Sequence, residues 1–150
     1  MSKYKGVRTL EVLEGADNYN AWIASRLKKY VKSPALEIGA GTGNISEYFA
    51  GLKTLVLTDI DSSLVTLLTK KFGRKNNIKT EVFDISSNLS KIKCRYKTIF
   101  SVNVLEHIKD DLKALRNMNS LLDKAGYVVI LVPARKSAYR KLDKHLGHYR

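Results

Sequence analysis

Residues 36–44 read Leu-Glu-Ile-Gly-Ala-Gly-Thr-Gly-Asn. A short apolar run here gives way to three glycines in five residues, and an acid stands two positions before the first glycine. Glycine permits a tight backbone turn after a strand, and the N–H groups at the start of a helix favour a negatively charged ligand group. The stretch therefore predicts a ligand-binding loop between a first strand and the helix after it.

Short apolar runs alternate with amphipathic stretches on both sides of this loop. The runs predict five strands, at 35–38, 54–58, 79–83, 97–102 and 127–132. Helical faces are predicted at 19–31, 45–52, 64–72 and 112–122, with Asp17 or Asn18, then Asp61 and Asp110, as N-caps. Repeated strand, crossover and strand units indicate an α/β fold, a doubly wound parallel sheet with helices on both faces.

Composition limits the function classes. The chain has 150 residues, of which 44% are hydrophobic and 27% charged, as expected for one globular domain. The longest apolar run, 126–134, is too short to span a membrane, and the N-terminus lacks the apolar segment of a secretory signal. The single cysteine, Cys94, fits a reducing compartment, so we expect a cytoplasmic protein. The net charge of +13 is spread along the chain as scattered basic pairs, which favours general solvation over a polyanion site.

Acidic residues end the second and third predicted strands. Asp59 lies twenty residues beyond Gly39, where a carboxylate can accept hydrogen bonds from both hydroxyls of a ribose. A helix N-cap is the alternative role, but Asp61 is better placed for it. Asp84 can accept from an adenine amino group or, alternatively, begin a turn. A dinucleotide loop requires glycine at position 44, which is Asn44, so a nicotinamide oxidoreductase is disfavoured.

Together with Ser-Val-Asn-Val-Leu-Glu-His-Ile at 101–108, these motifs resemble class I S-adenosylmethionine-dependent methyltransferases. The Val-Leu-Glu-His-Ile string is typical of the small-molecule methyltransferase-domain group. The resemblance covers residues 17–150, after an N-terminal arm at 1–16. It implies a Rossmann-like sheet of strand order 3-2-1-4-5, S-adenosylmethionine as cofactor, S-adenosylhomocysteine as product, and in-line methyl transfer to a small-molecule acceptor. Similar proteins are often associated with surface-glycan biosynthesis, so a glycan-related acceptor is expected.

The resemblance also implies roles for individual residues. Glu37 and Asn103 would bind the methionyl end, the glycine loop would contact the cofactor through its backbone, Asp59 would bind the ribose, and Ile60, Asp84 and Ile85 would bind adenine. The expected cofactor-binding residues are Glu37, Gly39, Ala40, Gly41, Gly43, Asp59, Ile60, Asp84, Ile85, Asn103 and Tyr19. Tyr19 would cover the cofactor, with core packing as the alternative. His107 is a candidate general base, with a structural role as the alternative, and Glu106 is a candidate structural acid.

Three expectations concern metals, completeness and alternatives. His145 and His148 share a possible helical face, but no acid-rich or cysteine ligand set lies near them in sequence, so we expect no metal site. The family's sheet normally has seven strands, whereas only 17 residues follow Pro133, so we expect an incomplete C-terminus and an exposed fifth strand that pairs with a neighbouring chain. The alternative functions are an RNA methyltransferase, supported by charge alone, and a non-catalytic cofactor-binding fragment.

Overall fold

The computed structural model describes residues 15–89, 94–133 and 148–149. Its three helices are α1 (Asp17–Leu27), α2 (Ser62–Phe72) and α3 (Asp111–Ser120), and its five strands are β1 (Ala35–Ile38), β2 (Leu55–Asp59), β3 (Ile78–Val82), β4 (Tyr96–Val102) and β5 (Leu122–Leu131). Two short 3-10 helices, Ser46–Phe49 and Leu105–His107, follow β1 and β4. Residues 1–14 of the predicted arm lie outside the described residues, and its boundary with the domain stays a prediction.

The strands form one parallel sheet in the order β3-β2-β1-β4-β5. This confirms the predicted order. β1 lies at the centre, where Leu36 pairs with Val56 on one side and Ile99 on the other. All four residues of β1 are buried, as expected of a parallel strand covered on both faces.

Helices cover both faces of the sheet, as predicted. On one face Leu27 of α1 and Leu68 and Phe72 of α2 belong to one buried cluster. On the opposite face Ala114 and Met118 of α3 belong to a second cluster. The sheet therefore fixes the carboxyl ends of its strands between two packed layers, which holds the loops that follow them in place.

The helix starts are partly as predicted. Asp61 caps α2, accepting from the backbone N–H of Ser63 at 2.8 Å, and Asp110 caps α3, accepting from that of Lys113 at 3.0 Å. The prediction for α1 was wrong, because its N-cap is Ala16, which makes no side-chain cap bond. The predicted cap Asp17 lies in the first turn instead, where its negative charge interacts favourably with the positive end of the helix dipole.

Most predicted elements are shifted by one or two residues at an end, and three differ more. The helix predicted at 19–31 ends at Leu27. The helix expected at 45–52 is only the 3-10 helix Ser46–Phe49, because the backbone N–H groups of Tyr48 and Ala50 bond three residues back. The fifth strand begins at Leu122, which the pattern places on the preceding helix. Leu122 pairs with Tyr96 before a register shift, and regular pairing starts at Tyr127, where the strand was predicted to begin.

β3 and β5 lie at the two edges of the described sheet. Pairing of β5 with a neighbouring chain stays a prediction. Within the ranges that the structure describes, no helix is both long enough and apolar enough to cross a bilayer.

Candidate functional site

A cleft of about 1090 Å³ lies at the carboxyl ends of the strands. Ligands of open α/β sheets bind at this edge, where the strand order reverses. The predicted site residues that line the cleft are Tyr19, Glu37, Gly39, Ala40, Gly41, Asp59, Ile60, Asp84, Ile85, Asn103 and His107. Gly43 is not among the lining residues.

The glycine loop turns in the left-handed region, where glycine is favoured over other residues. The φ angles are 69° at Gly39, 58° at Gly41 and 80° at Gly43. A Cβ atom on Gly43 would lie 2.7 Å from Cε2 of Phe72, so this glycine lets α2 pack against the loop. The expectation that Gly43 contacts the cofactor has no support in the cleft geometry, because the residue lies against α2.

Asp59 links the end of β2 to the glycine loop. One of its carboxylate oxygens accepts from the backbone N–H of Gly41 at 3.0 Å, and the other accepts from that of Asp61 at 3.0 Å. Burial raises the pKa of Asp59, while these N–H groups oppose the shift. Each carboxylate oxygen can accept a second hydrogen bond, so the side chain retains acceptor capacity toward the cleft.

Glu37 is buried beneath the loop with one side-chain partner. Its Oε2 atom accepts from the Ser46 hydroxyl at 2.6 Å. Burial raises its pKa to about 8; the Ser46 bond opposes the shift and the negative charge of Asp59 adds to it. At neutral pH this carboxyl is therefore mostly neutral, and a cationic group entering the cleft would favour its ionised form.

The predicted adenine end is formed by residues after β2 and β3. Ile60 is 66% exposed, so an apolar side chain lies open to the cleft. Asp84 is exposed and accepts from the backbone N–H of Ser86 at 2.7 Å, which fixes the turn. The carbonyl of Ile85 accepts from the Asn117 side chain at 2.6 Å, which anchors this turn to α3.

Asn103 continues the site after β4. It has a φ of 54°, a conformation that asparagine tolerates better than most residues, and its backbone N–H donates to the Leu131 carbonyl at 2.9 Å. From α1, Tyr19 stacks on Trp22 with ring centroids 6.3 Å apart. Both rings are about half exposed and line the cleft, so Tyr19 is not a core residue. Trp22 was missed because the helical periodicity places it on the core face.

A second group of titratable residues lines the cleft beyond Asn103. Glu106 is 1% exposed, and burial raises its pKa while the nearby His148 opposes the shift. The rings of His107 and His148 meet edge to face with centroids 4.5 Å apart. His145 lies outside the described residues. Sequence reasoning gave no sign that His148 reaches this cleft, because the residues it meets lie far away along the chain.

A family model described as a methyltransferase domain matches residues 16–150. Among curated proteins, the non-reducing polyketide synthase ausA of Penicillium brasilianum is 31% identical over 133 residues, covering 80% of this chain and 5% of that protein. Ribosomal protein L11 methyltransferase of Staphylococcus aureus is 27% identical over 113 residues, covering 74% of this chain and 35% of that protein. The chain thus spans a minor part of each relative.

Solved structures share the fold. An S-adenosylmethionine-dependent methyltransferase from Clostridium acetobutylicum superposes with a TM-score of 0.62 at 20% identity, covering 74% of this chain and 48% of that one. The N-methyltransferase NodS from Bradyrhizobium japonicum, in complex with S-adenosylhomocysteine, gives 0.63 at 20% identity, covering 77% and 59%. The observed sheet is therefore that of methyltransferases.

Proposed function

Because this chain belongs to the methyltransferase domain family, as a class I S-adenosylmethionine-dependent domain, we propose that it transfers a methyl group to a small-molecule acceptor bound in the cleft. The observation that carries this proposal is the meeting of the glycine loop, Asp59 and Asp84 around one cleft. These residues come from the ends of three successive strands, which the sheet order brings to one edge.

The residues present fit the cofactor of this family, S-adenosylmethionine. Asp59 retains acceptor capacity for the two ribose hydroxyls, and Ile60 offers an exposed apolar side chain for the adenine ring. Asp84 would accept from the adenine amino group. Glu37, which has no cationic partner among the described residues, would hold the methionyl ammonium group together with the backbone at Asn103.

The cofactor, when bound, supplies an electrophilic methyl group on a positively charged sulfur. The chain's own part is then to hold an acceptor in line with that methyl group and to exclude water. The cleft volume of about 1090 Å³ slightly exceeds the roughly 300–1,000 Å³ usual for small-molecule sites. This leaves space for an acceptor beside the cofactor, under the stacked rings of Tyr19 and Trp22.

His107 is the proposed general base for an oxygen or nitrogen acceptor. It lies in the cleft, in the 3-10 helix directly after the Asn103 turn. An imidazole is suited to accept a proton near neutral pH. The relationship to a polyketide synthase supports a small-molecule acceptor. The glycan-related acceptor and the RNA alternative stay predictions from the resemblance and from the charge.

Calorimetric titration with S-adenosylhomocysteine and with NAD tests cofactor choice. We expect saturable binding of the sulfur cofactor alone. Asp59→Asn keeps the side-chain shape but removes the charge and replaces one of two acceptor oxygens with an NH2 donor. It should weaken S-adenosylhomocysteine binding on the order of 10- to 100-fold, the effect of losing charge-assisted hydrogen bonds. Asp123→Asn, at an exposed ion pair with Lys97, is the matched control. If Asp59→Asn binds S-adenosylhomocysteine as tightly as the parent chain does, the ribose role of Asp59 is contradicted. If the parent chain itself does not bind S-adenosylhomocysteine, the proposed methyltransferase function is contradicted.

Acceptor class is tested separately. The chain is incubated with methyl-labelled S-adenosylmethionine and a cell extract divided by size into small-molecule and macromolecular fractions. We expect label in the small-molecule fraction. Label in the RNA or protein of the macromolecular fraction would refute the proposed acceptor class while leaving the cofactor assignment intact.

A further inference from the structure

Three potential metal ligands meet at one side of the cleft. Glu106 and His107 lie in the 3-10 helix after β4, and His148 is brought against them from a distant part of the chain. One ligand atom from each residue lies within 4.8 Å of the other two. The backbone N–H of Tyr149 donates to the Glu106 carbonyl at 2.8 Å, and this bond holds residues 148–149 beside the 3-10 helix.

The Glu106 carboxylate points to a missing ligand. The residue is 1% exposed, and neither carboxylate oxygen makes a hydrogen bond to another described residue. Buried carboxylates are normally paired, hydrogen-bonded or bound to a metal, because burying an uncompensated charge is very costly. Two imidazole rings beside such a carboxylate complete a donor set of two nitrogens and one oxygen.

We propose that Glu106, His107 and His148 bind a divalent transition-metal ion of the zinc class. Imidazole nitrogen with one carboxylate suits ions such as Zn²⁺, Co²⁺ and Fe²⁺, whereas Mg²⁺ and Ca²⁺ prefer oxygen ligands. Ligand atoms of a tetrahedral zinc ion lie about 3.3 Å apart. The three ligand atoms already lie within 4.8 Å of one another, so each pair would close by at most about 1.5 Å on binding an ion. The expectation of no metal site came from the local sequence around His148, which offers no acid-rich or cysteine ligand set; the fold supplies Glu106.

The place of this metal site defines the class of acceptor. All three side chains line the same cleft as the glycine loop. Three protein ligands leave at least one coordination position open, and an ion bound there would accept an oxygen atom of a molecule in the cleft. An acceptor with a hydroxyl or carboxylate oxygen would fit that open position. This last step rests on the proposed methyl transfer, whereas the metal site itself does not. With the ion bound, His107 would be a ligand, so its role as general base applies only to the metal-free site.

Calorimetric titration of the metal-stripped chain with Zn²⁺ and with Co²⁺ tests the site. A Cys94→Ser background removes the exposed thiol as a competing ligand. We expect one equivalent to bind, and Glu106→Gln and His148→Gln each to weaken binding by at least about tenfold, since even partners outside the ligand shell cost 10- to 100-fold. Glu47→Gln, at an exposed carboxyl, and Tyr149→Phe, which keeps the backbone bond to Glu106, should bind as the parent does.

No saturable binding by the parent chain, or parent-like binding by both ligand variants, would overturn the proposal. If Glu106→Gln fails to fold, His148→Gln decides, because its side chain is only partly buried. The same preparations are titrated with S-adenosylhomocysteine in the absence of metal. Cofactor binding without metal binding refutes the metal site alone, and metal binding without cofactor binding refutes the proposed function alone.

Discussion

Glu37 makes the stability of this domain depend on pH in a calculable way. Burial raises its pKa from 4.5 to about 8. The native state therefore holds a proton that the unfolded chain releases between these two values. Stability present below pH 4.5 is lost as the pH rises toward 8, at about 1.4 kcal/mol for each pH unit. By pH 7 the loss is on the order of 3 kcal/mol.

Glu37→Gln removes this dependence while keeping shape and an acceptor for the Ser46 hydroxyl, which bonds the present carboxyl at 2.6 Å. The two proteins should differ little near pH 4.5. As the pH rises to 7, the free energy of unfolding of the variant should come to exceed that of the wild type by on the order of 3 kcal/mol. Urea unfolding at half-unit pH intervals, without cofactor or metal, measures the difference.

The difference between two curves isolates Glu37, because the other titrating groups are common to both proteins. Glu47→Gln, which removes an exposed carboxyl paired with Lys71, should follow the wild-type curve in slope. A stability difference between Glu37→Gln and wild type that stays constant from pH 5 to 8 would show that Glu37 is ionised in the native state, and would refute the reasoning.

Two further predictions concern the glycine loop and α2, the helix packed against it. Gly43→Ala would place a methyl group 2.7 Å from Phe72 at a positive φ, and should lower the free energy of unfolding by about 1–3 kcal/mol. Gly51→Ala is the control, because the space around Gly51 is open. Equal effects of the two substitutions in urea unfolding would contradict the packing role of Gly43. Asp61→Ala removes the side chain that accepts from the Ser63 N–H at the start of α2, and should lower the free energy of unfolding by about 1 kcal/mol. A thermal-unfolding midpoint equal to that of the wild type would contradict this prediction.

Much of the site could be predicted because it is carried by local patterns. Apolar runs without alternation indicate buried parallel strands, and parallel strands direct their carboxyl ends to one edge of a sheet. The residues at or just after the ends of three such strands, Gly39, Asp59 and Asp84, therefore line one cleft. Helix boundaries were less predictable. The bond pattern that shortens the helix after β1 and the start of β5 at Leu122 depend on neighbours that the local sequence does not specify.

The sequence by itself determined the strands, the glycine turn and the acids beside it, because each is encoded within a few residues of a strand end. The strand order was implied by the family resemblance and is confirmed by the pairing of distant segments. Tertiary structure alone decided that Gly43 lies against Phe72, that Trp22 faces the cleft and that His148 meets Glu106. The physical reason is that these outcomes depend on how separate segments pack, and the periodicity within any one segment carries no record of its partner.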